Sequence, residues 1–217
     1  MKLLSIIVAR STWFFPLTDL NPRGRYIHPI AKGLPDRYDF VKYPEKMEDM
    51  EEGAKFEDGK FKTSRDDAIT VSLTLHESGI VGDTRSSTTD SDEFLDDMLN
   101  WLCAEFGLAP SQEIVRRKVY LSAVHVHMDG SLNLLNPKLE PFARQLSSKV
   151  VGYDPVMFET FGIMFWKDPK KTGPEFSFRL ERAETEPFSQ QRYFSLAPLQ
   201  TETHLELLEE LERILTS

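Results

Sequence analysis

The chain predicts an α+β protein, a mainly antiparallel sheet with about three helices packed on it. Three stretches carry that reading. Residues 69–76 alternate Ile69, Val71, Leu73 and Leu75 with Thr70, Ser72, Thr74 and His76, the period of a half-buried strand. Residues 94–106 place Phe94, Leu95, Met98, Leu99, Leu102, Cys103 and Phe106 at helical spacing, with Asp92, Glu93, Asp96, Asp97, Asn100 and Glu105 opposite. Residues 119–128 begin apolar on both faces, which suits a central strand.

In chain order, residues 3–8 read as a strand, with Trp13, Phe14 and Phe15 as core at its exit and a turn at 21–24. Pro29, Gly33 and Pro35 make 26–43 irregular, with a short strand at 39–42. The acidic stretch 45–52 reads as an exposed loop or short helix. Asp58 and Gly59 suggest the turn of a β-hairpin at 55–62. No linker demands a boundary, so residues 1–217 are expected to form one α+β domain, with 1–65 either on the main sheet or in an irregular N-terminal subdomain.

Glu77, Ser78 and Gly79 turn the strand at 69–76 into a return strand. The long helix is expected to start at Asp90, with Glu93 completing a capping box, and to stop at Gly107 in a left-handed conformation. Asn136 and Pro137 open a helix that runs to about residue 146, disturbed at Pro141. Residues 158–166 form a strongly apolar strand, 175–182 an alternating one with Phe176, Phe178 and Leu180 inward, and 192–196 a short one. Thr203 caps a last helix with Leu205, Leu208, Leu211 and Leu215 on one stripe. No internal repeat is evident.

Composition narrows the function. Of 217 residues 40% are hydrophobic and 28% charged, ordinary for a globular protein, and the net charge of -9 disfavours a nucleic-acid partner. The single cysteine, Cys103, lies on an apolar helical stripe, so a cytoplasmic location is the default. Residues 1–9 read as a buried strand rather than a signal peptide, because Ser5 interrupts the run and Arg10 ends it. No apolar stretch approaches the roughly 20 residues of a membrane span, so no membrane partner is expected.

Three constellations are candidates for chemistry. His125, His127 and Asp129 alternate, and successive histidines about 6 to 7 Å apart on one strand face suit a shared zinc or manganese. Over about seven residues this segment resembles the histidine pair that opens the amidohydrolase family, and the resemblance implies a metal-dependent hydrolase; further ligands would come from elsewhere, with His76 on the neighbouring hairpin as a candidate. Read as structure alone, the same residues are the solvent end of a strand leading into a turn at Asp129 and Gly130. Thr84, Arg85, Ser86 and Ser87 precede a helix, where hydroxyls, a guanidinium and free N–H groups suit an anion or nucleotide; Asp90, Asp92 and Glu93 at the same helix end oppose one. Asp36 with Asp58, Gly59 and Lys60 imitates a nuclease carboxylate–lysine set, although Asp58 and Gly59 make a better turn.

Phosphate loops, dinucleotide-binding glycines, nucleophile elbows and cysteine pairs are absent from the sequence. The expectation is therefore a non-catalytic protein without cofactor that works through a protein partner or self-association. The candidate interaction surface is the stripe Leu205, Leu208, Leu211 and Leu215. The His-x-His-x-Asp hydrolase and the anion-binding loop stand as alternatives.

Overall fold

The computed structural model describes residues 1–24, 28–44, 53–150, 157–168, 170 and 177–217. The acidic stretch 45–52 and Phe176 lie outside the described residues. The elements are β1 (Lys2–Phe14), α1 (Leu17–Leu20), α2 (His28–Tyr38), β2 (Ala54–Lys62), β3 (Ala68–His76), β4 (Gly79–Thr84), α3 (Thr88–Phe106), α4 (Ser111–Ile114), β5 (Arg117–His127), α5 (Glu140–Lys149), β6 (Gly162–Trp166), β7 (Ser177–Arg182), β8 (Arg192–Ala197) and α6 (Thr201–Thr216). The protein is α+β, with one eight-stranded antiparallel sheet in the order β2-β3-β4-β1-β5-β8-β7-β6. Among the described residues there are six α-helices, two of them single turns, more than the three that the sequence leads one to expect. Among the described residues no helix is long and apolar enough to cross a membrane.

The chain forms two compact units, one of Ile6–Ser122 with Pro198–Glu202, the other of Met1–Ser5, Ala123–Ala197 and Thr203–Ser217. In the larger unit, α3 lays Phe94, Leu95, Met98, Leu99 and Leu102 on Val71, Leu73 and Ile80 of β3 and β4, as the apolar stripe requires. Gly82 is needed there, since a Cβ would stand 2.9 Å from Leu95. Ser87 caps the helix by accepting from the Asp90 backbone N–H at 3.0 Å, three residues before the expected cap. Gly107 ends it at φ 63°.

Two stretches of this unit differ from the sequence reading. Residues 28–38 are helical despite Pro35, because tertiary packing outweighs propensity. Leu34 and Tyr38 are buried in the core, Tyr38 stands edge-on to Phe94 at 5.1 Å, and its hydroxyl donates to Asp97 at 2.6 Å. Residues 55–62 are not a hairpin; they lie within the single strand β2, paired to β3 with a register shift between Phe56 and Gly59. Asp58 takes the left-handed φ of 57° at this bulge. The ring of Phe40 covers Gly59, where a Cβ would meet it at 2.5 Å.

The smaller unit buries Val124, Val126 and Met128 of β5, Leu180 of β7, Tyr193 of β8, and Leu208 and Leu215 of α6. Its polar core is Arg182, whose Nε donates to Thr160 O at 2.9 Å, Nη1 to Phe188 O at 3.0 Å, and Nη2 to Ser131 Oγ at 3.1 Å and Glu159 Oε2 at 3.2 Å. This buried guanidinium ties β7 to three loops and leaves few donors unmet.

The element order repeats. β1, α2, the meander β2-β3-β4 and α3 are followed by β5, α5, the meander β6-β7-β8 and α6. The 113 residues that separate Thr88 from Thr201, at the starts of α3 and α6, also carry Gly79–Thr84 onto Arg192–Ala197. The sheet order agrees, reading β2-β3-β4-β1 from one edge and β6-β7-β8-β5 from the other. Corresponding positions share side-chain class in places, as with Leu95 and Leu208, and differ in others, as with Ser91 and His204. That divergence hides the repeat from a reading of the sequence.

Candidate functional site

In the smaller unit β6 is the last strand of the sheet and pairs only with β7 among the described residues. Its sequence, Gly162, Ile163, Met164, Phe165 and Trp166, carries no charge and no proline. Met164, Phe165 and Trp166 are 53%, 65% and 64% exposed, so successive side chains on opposite faces of the strand both meet solvent. α5 adds to the apolar surface of this unit, because it buries none of its residues and leaves Phe142 63% exposed, with Leu146 and the preceding Leu139 also exposed.

The topologically equivalent elements of the larger unit are finished differently. α2 docks Leu34 and Tyr38 into the core. β2, the opposite edge, carries Lys55, Glu57, Asp58, Lys60 and Lys62, has a bulge, and is partly covered where residues 42 and 57 bridge. Charges, bulges and covering loops are the usual protection of an edge strand against pairing with another chain. β6 has neither charge nor bulge.

The sequence candidates fall as follows. Leu208 and Leu215 are buried and Leu205 and Leu211 half-buried, so the leucine stripe of α6 is core and does not form a free surface; Leu207 and Ile214 are the exposed apolar residues of that helix. The same helix face carries His204, which meets Ser195 of β8 at 2.9 Å and the Phe178 ring of β7, so it is turned inward. Of His125, His127 and Asp129, the structure pairs the last two and does not assemble the three as a ligand set. The His125 ring packs edge-on to Phe194 at 5.8 Å, the His127 Nδ1 lies 3.9 Å from Asp129 Oδ1, and the Asp129 side chain stands largely in solvent. Among the described residues no group of three His, Cys, Asp or Glu side chains is placed to hold a metal ion.

In the larger unit, Thr84, Arg85 and Ser86 line one polar cavity of about 600 Å³ on the sheet, together with Arg10, Thr70 and Ser72. Arg10 is held by Asp83 through two bonds of 2.7 and 2.9 Å. Arg85 is exposed. Ser87 is not part of this cavity, since its hydroxyl caps α3. Glu57 and Asp58 also line it, and Lys42 is within ion-pair distance of both. A second, apolar cavity of about 650 Å³ is lined by Leu20, Ile30, Leu34, Met98, Leu102 and Leu108, with Thr18, Asn21 and Glu77 as its polar lining.

One polar cluster was hidden in the sequence. Asp92, which the helical pattern places on a solvated face, accepts from Trp13 Nε1 at 2.7 Å and from the Tyr120 hydroxyl at 3.0 Å. Lys118 Nζ lies 3.8 Å from the same carboxylate and 3.6 Å above the Trp13 ring. Burial, then the bond to Asp92, pushes the Tyr120 phenol up from its ordinary value. All the polar ends are paired, which makes the cluster a brace between β1, β5 and α3.

No protein-family model matches the chain, and no curated protein matches it.

Proposed function

We propose that this protein is non-catalytic and acts in the cytoplasm by protein–protein association, alone or within a larger assembly. One observation carries the reading: of two halves with the same element order, the first protects its edge strand and buries its helix, while the second leaves Met164, Phe165 and Trp166 of β6 and Phe142 of α5 in solvent. An exposed apolar patch of this kind on a soluble surface marks an interaction site. The single half-buried cysteine suits a reducing compartment.

The test compares the full chain with a Phe165→Lys, Trp166→Lys variant by hydrodynamic size in extracts of cells that express each. Migration well above the chain's 25.0 kDa that the variant loses is expected. Migration of both as the free chain overturns the association reading.

A second reading rests on the polar cavity beside Arg85. We propose that Arg85, with Thr70, Ser72, Thr84 and Ser86, holds a small anion or the phosphate of a nucleotide, the acidic lining at Glu57, Asp58 and Asp83 limiting its charge. Thermal stabilisation by inorganic phosphate or a nucleoside phosphate that is lost in Arg85→Ala supports this reading. Equal melting temperatures with and without these ligands remove it.

A further inference from the structure

We infer that the partner of β6 is a second copy of β6, paired antiparallel about Met164. This inference rests on the association reading and names its occupant. The backbone geometry of the strand supplies the first argument. The Arg182 N–H donates to Phe161 O at 2.8 Å, and the β6·β7 register continues as Gly162 with Glu181, Ile163 with Leu180, Met164 with Arg179, Phe165 with Phe178 and Trp166 with Ser177.

Antiparallel ladders alternate hydrogen-bonded and non-hydrogen-bonded pairs, so Ile163 and Phe165 spend their backbone groups on β7. The N–H and C=O groups of Gly162, Met164 and Trp166 point to the free edge. A two-fold pairing centred on Met164 brings those same residues together: Met164 faces its own copy, and Gly162 and Trp166 face each other in both directions. About six N–H···O bonds form, and every outward backbone group of the strand is used. An axis placed between two residues would bring outward groups against inward ones, and one placed on Ile163 or Phe165 would leave the outward groups of Trp166 or Gly162 without a partner inside the strand.

The side chains agree with this register. Directly opposed residues project to the same face. Ile163 meets Phe165 of the second copy on one face. On the other, Trp166 lies over Gly162, which has no side chain to obstruct the ring, the arrangement by which an aromatic shields a glycine at a strand edge. No charge within Gly162–Trp166 is brought against a like charge. A closed two-fold pair also consumes the edge on both copies, so the assembly stops at two.

The test uses the purified full chain alone, with Cys103→Ser removing the only native thiol. Light scattering at micromolar concentration is expected to give twice the 25.0 kDa chain mass, and Met164→Lys, which sets two ammonium groups face to face, to give the chain mass with unchanged circular dichroism. Under mild oxidation Met164→Cys is expected to form an intermolecular disulfide, its Cα atoms standing about 5.5 Å apart in a hydrogen-bonded pair, whereas Ile163→Cys, which faces Phe165 rather than itself, cross-links far less. A chain-mass wild type overturns the inference, and if the complex in cell extracts persists, association with a foreign partner stands without it. A double-mass species that survives Met164→Lys, or that cross-links equally through both cysteines, also overturns it.

Discussion

Thr88 and Thr201 cap each other. The Thr88 backbone N–H donates to Thr201 Oγ1 at 3.1 Å, and the Thr201 N–H donates to Thr88 Oγ1 at 2.9 Å, with both residues buried. Each stands at the start of a long helix, where backbone N–H groups lack intrahelical acceptors. Two hydroxyls thereby satisfy two orphan donors.

The pair makes a prediction for stability. Thr88→Val or Thr201→Val keeps the shape and removes one acceptor, leaving a buried N–H unpaired at a cost of about 1–3 kcal/mol. Serine at either position keeps the hydroxyl and costs less. Urea unfolding of the two single valine variants and the double variant checks this: because the two residues touch, the double loss is expected to differ from the sum of the single losses, and a valine variant as stable as the wild type would count against reciprocal capping.

His204 predicts a pH dependence. Ser195 Oγ donates to Arg179 O at 3.0 Å, so the His204 Nε2–H donates to Ser195 Oγ, 2.9 Å away, and the buried Nδ1 keeps a lone pair with no partner. Burial pushes the imidazole pKa down to about 4. The unfolded chain protonates near pH 6.5 and binds more protons than the folded one between that value and about 4. The contribution is therefore complete above pH 6.5 and is lost as the pH falls towards 4, by about 3 kcal/mol at one pKa unit per 1.36 kcal/mol. In urea unfolding from pH 7 to pH 4, His204→Gln should flatten that part of the profile. Parallel profiles would mean that other groups carry the acid sensitivity.

Gly59 predicts a steric limit at the bulge of β2. An alanine Cβ would stand 2.5 Å from the Phe40 ring, and Phe40 is itself buried and packed on Phe56 and Tyr38. Gly59→Ala is expected to lose about 1–3 kcal/mol through overpacking. Asp58→Gly, which relieves a left-handed backbone at the neighbouring residue, should be neutral or slightly stabilising. Denaturation midpoints that rank the two variants the other way would show that residues 58 and 59 do form a turn.

That bulge also explains what the sequence hides. The alternation of residues 69–76 and the stripe of 94–106 set β3, β4 and α3 correctly, because both patterns are written in consecutive side chains. Asp58-Gly59 is locally a turn signal, and only the ring of Phe40 and the ladder to β3 keep the chain straight. α2 likewise depends on Leu34 and Tyr38 finding a core made from other segments. At the candidate surface, the aromatics around Trp13 and Trp166 both read as exposed from the sequence, those around Trp13 also as core at a strand exit, yet Trp166 is exposed and Trp13 buried, because burial depends on where each strand lies in the sheet. Asp92 was unreadable for the same reason: Trp13 and Tyr120, its partners, come from β1 and β5.

The neighbours Leu207 and Leu208 separate surface from core on α6. Leu208 is 0% exposed and Leu207 49% exposed. Leu208→Asp places a carboxylate where no partner is provided and removes a packed side chain, which costs at least the 2–5 kcal/mol typical of burying nothing in its place. Leu207→Asp is expected to stay within about 0.5 kcal/mol of the wild type, as for most surface changes. Thermal unfolding distinguishes them directly. Because association is assigned to β6, Leu207→Asp should also leave the mass of the assembly unchanged while Met164→Lys reduces it. A Leu207→Asp protein that is fully folded yet dissociated would move the interface from the strand edge to the outer face of α6.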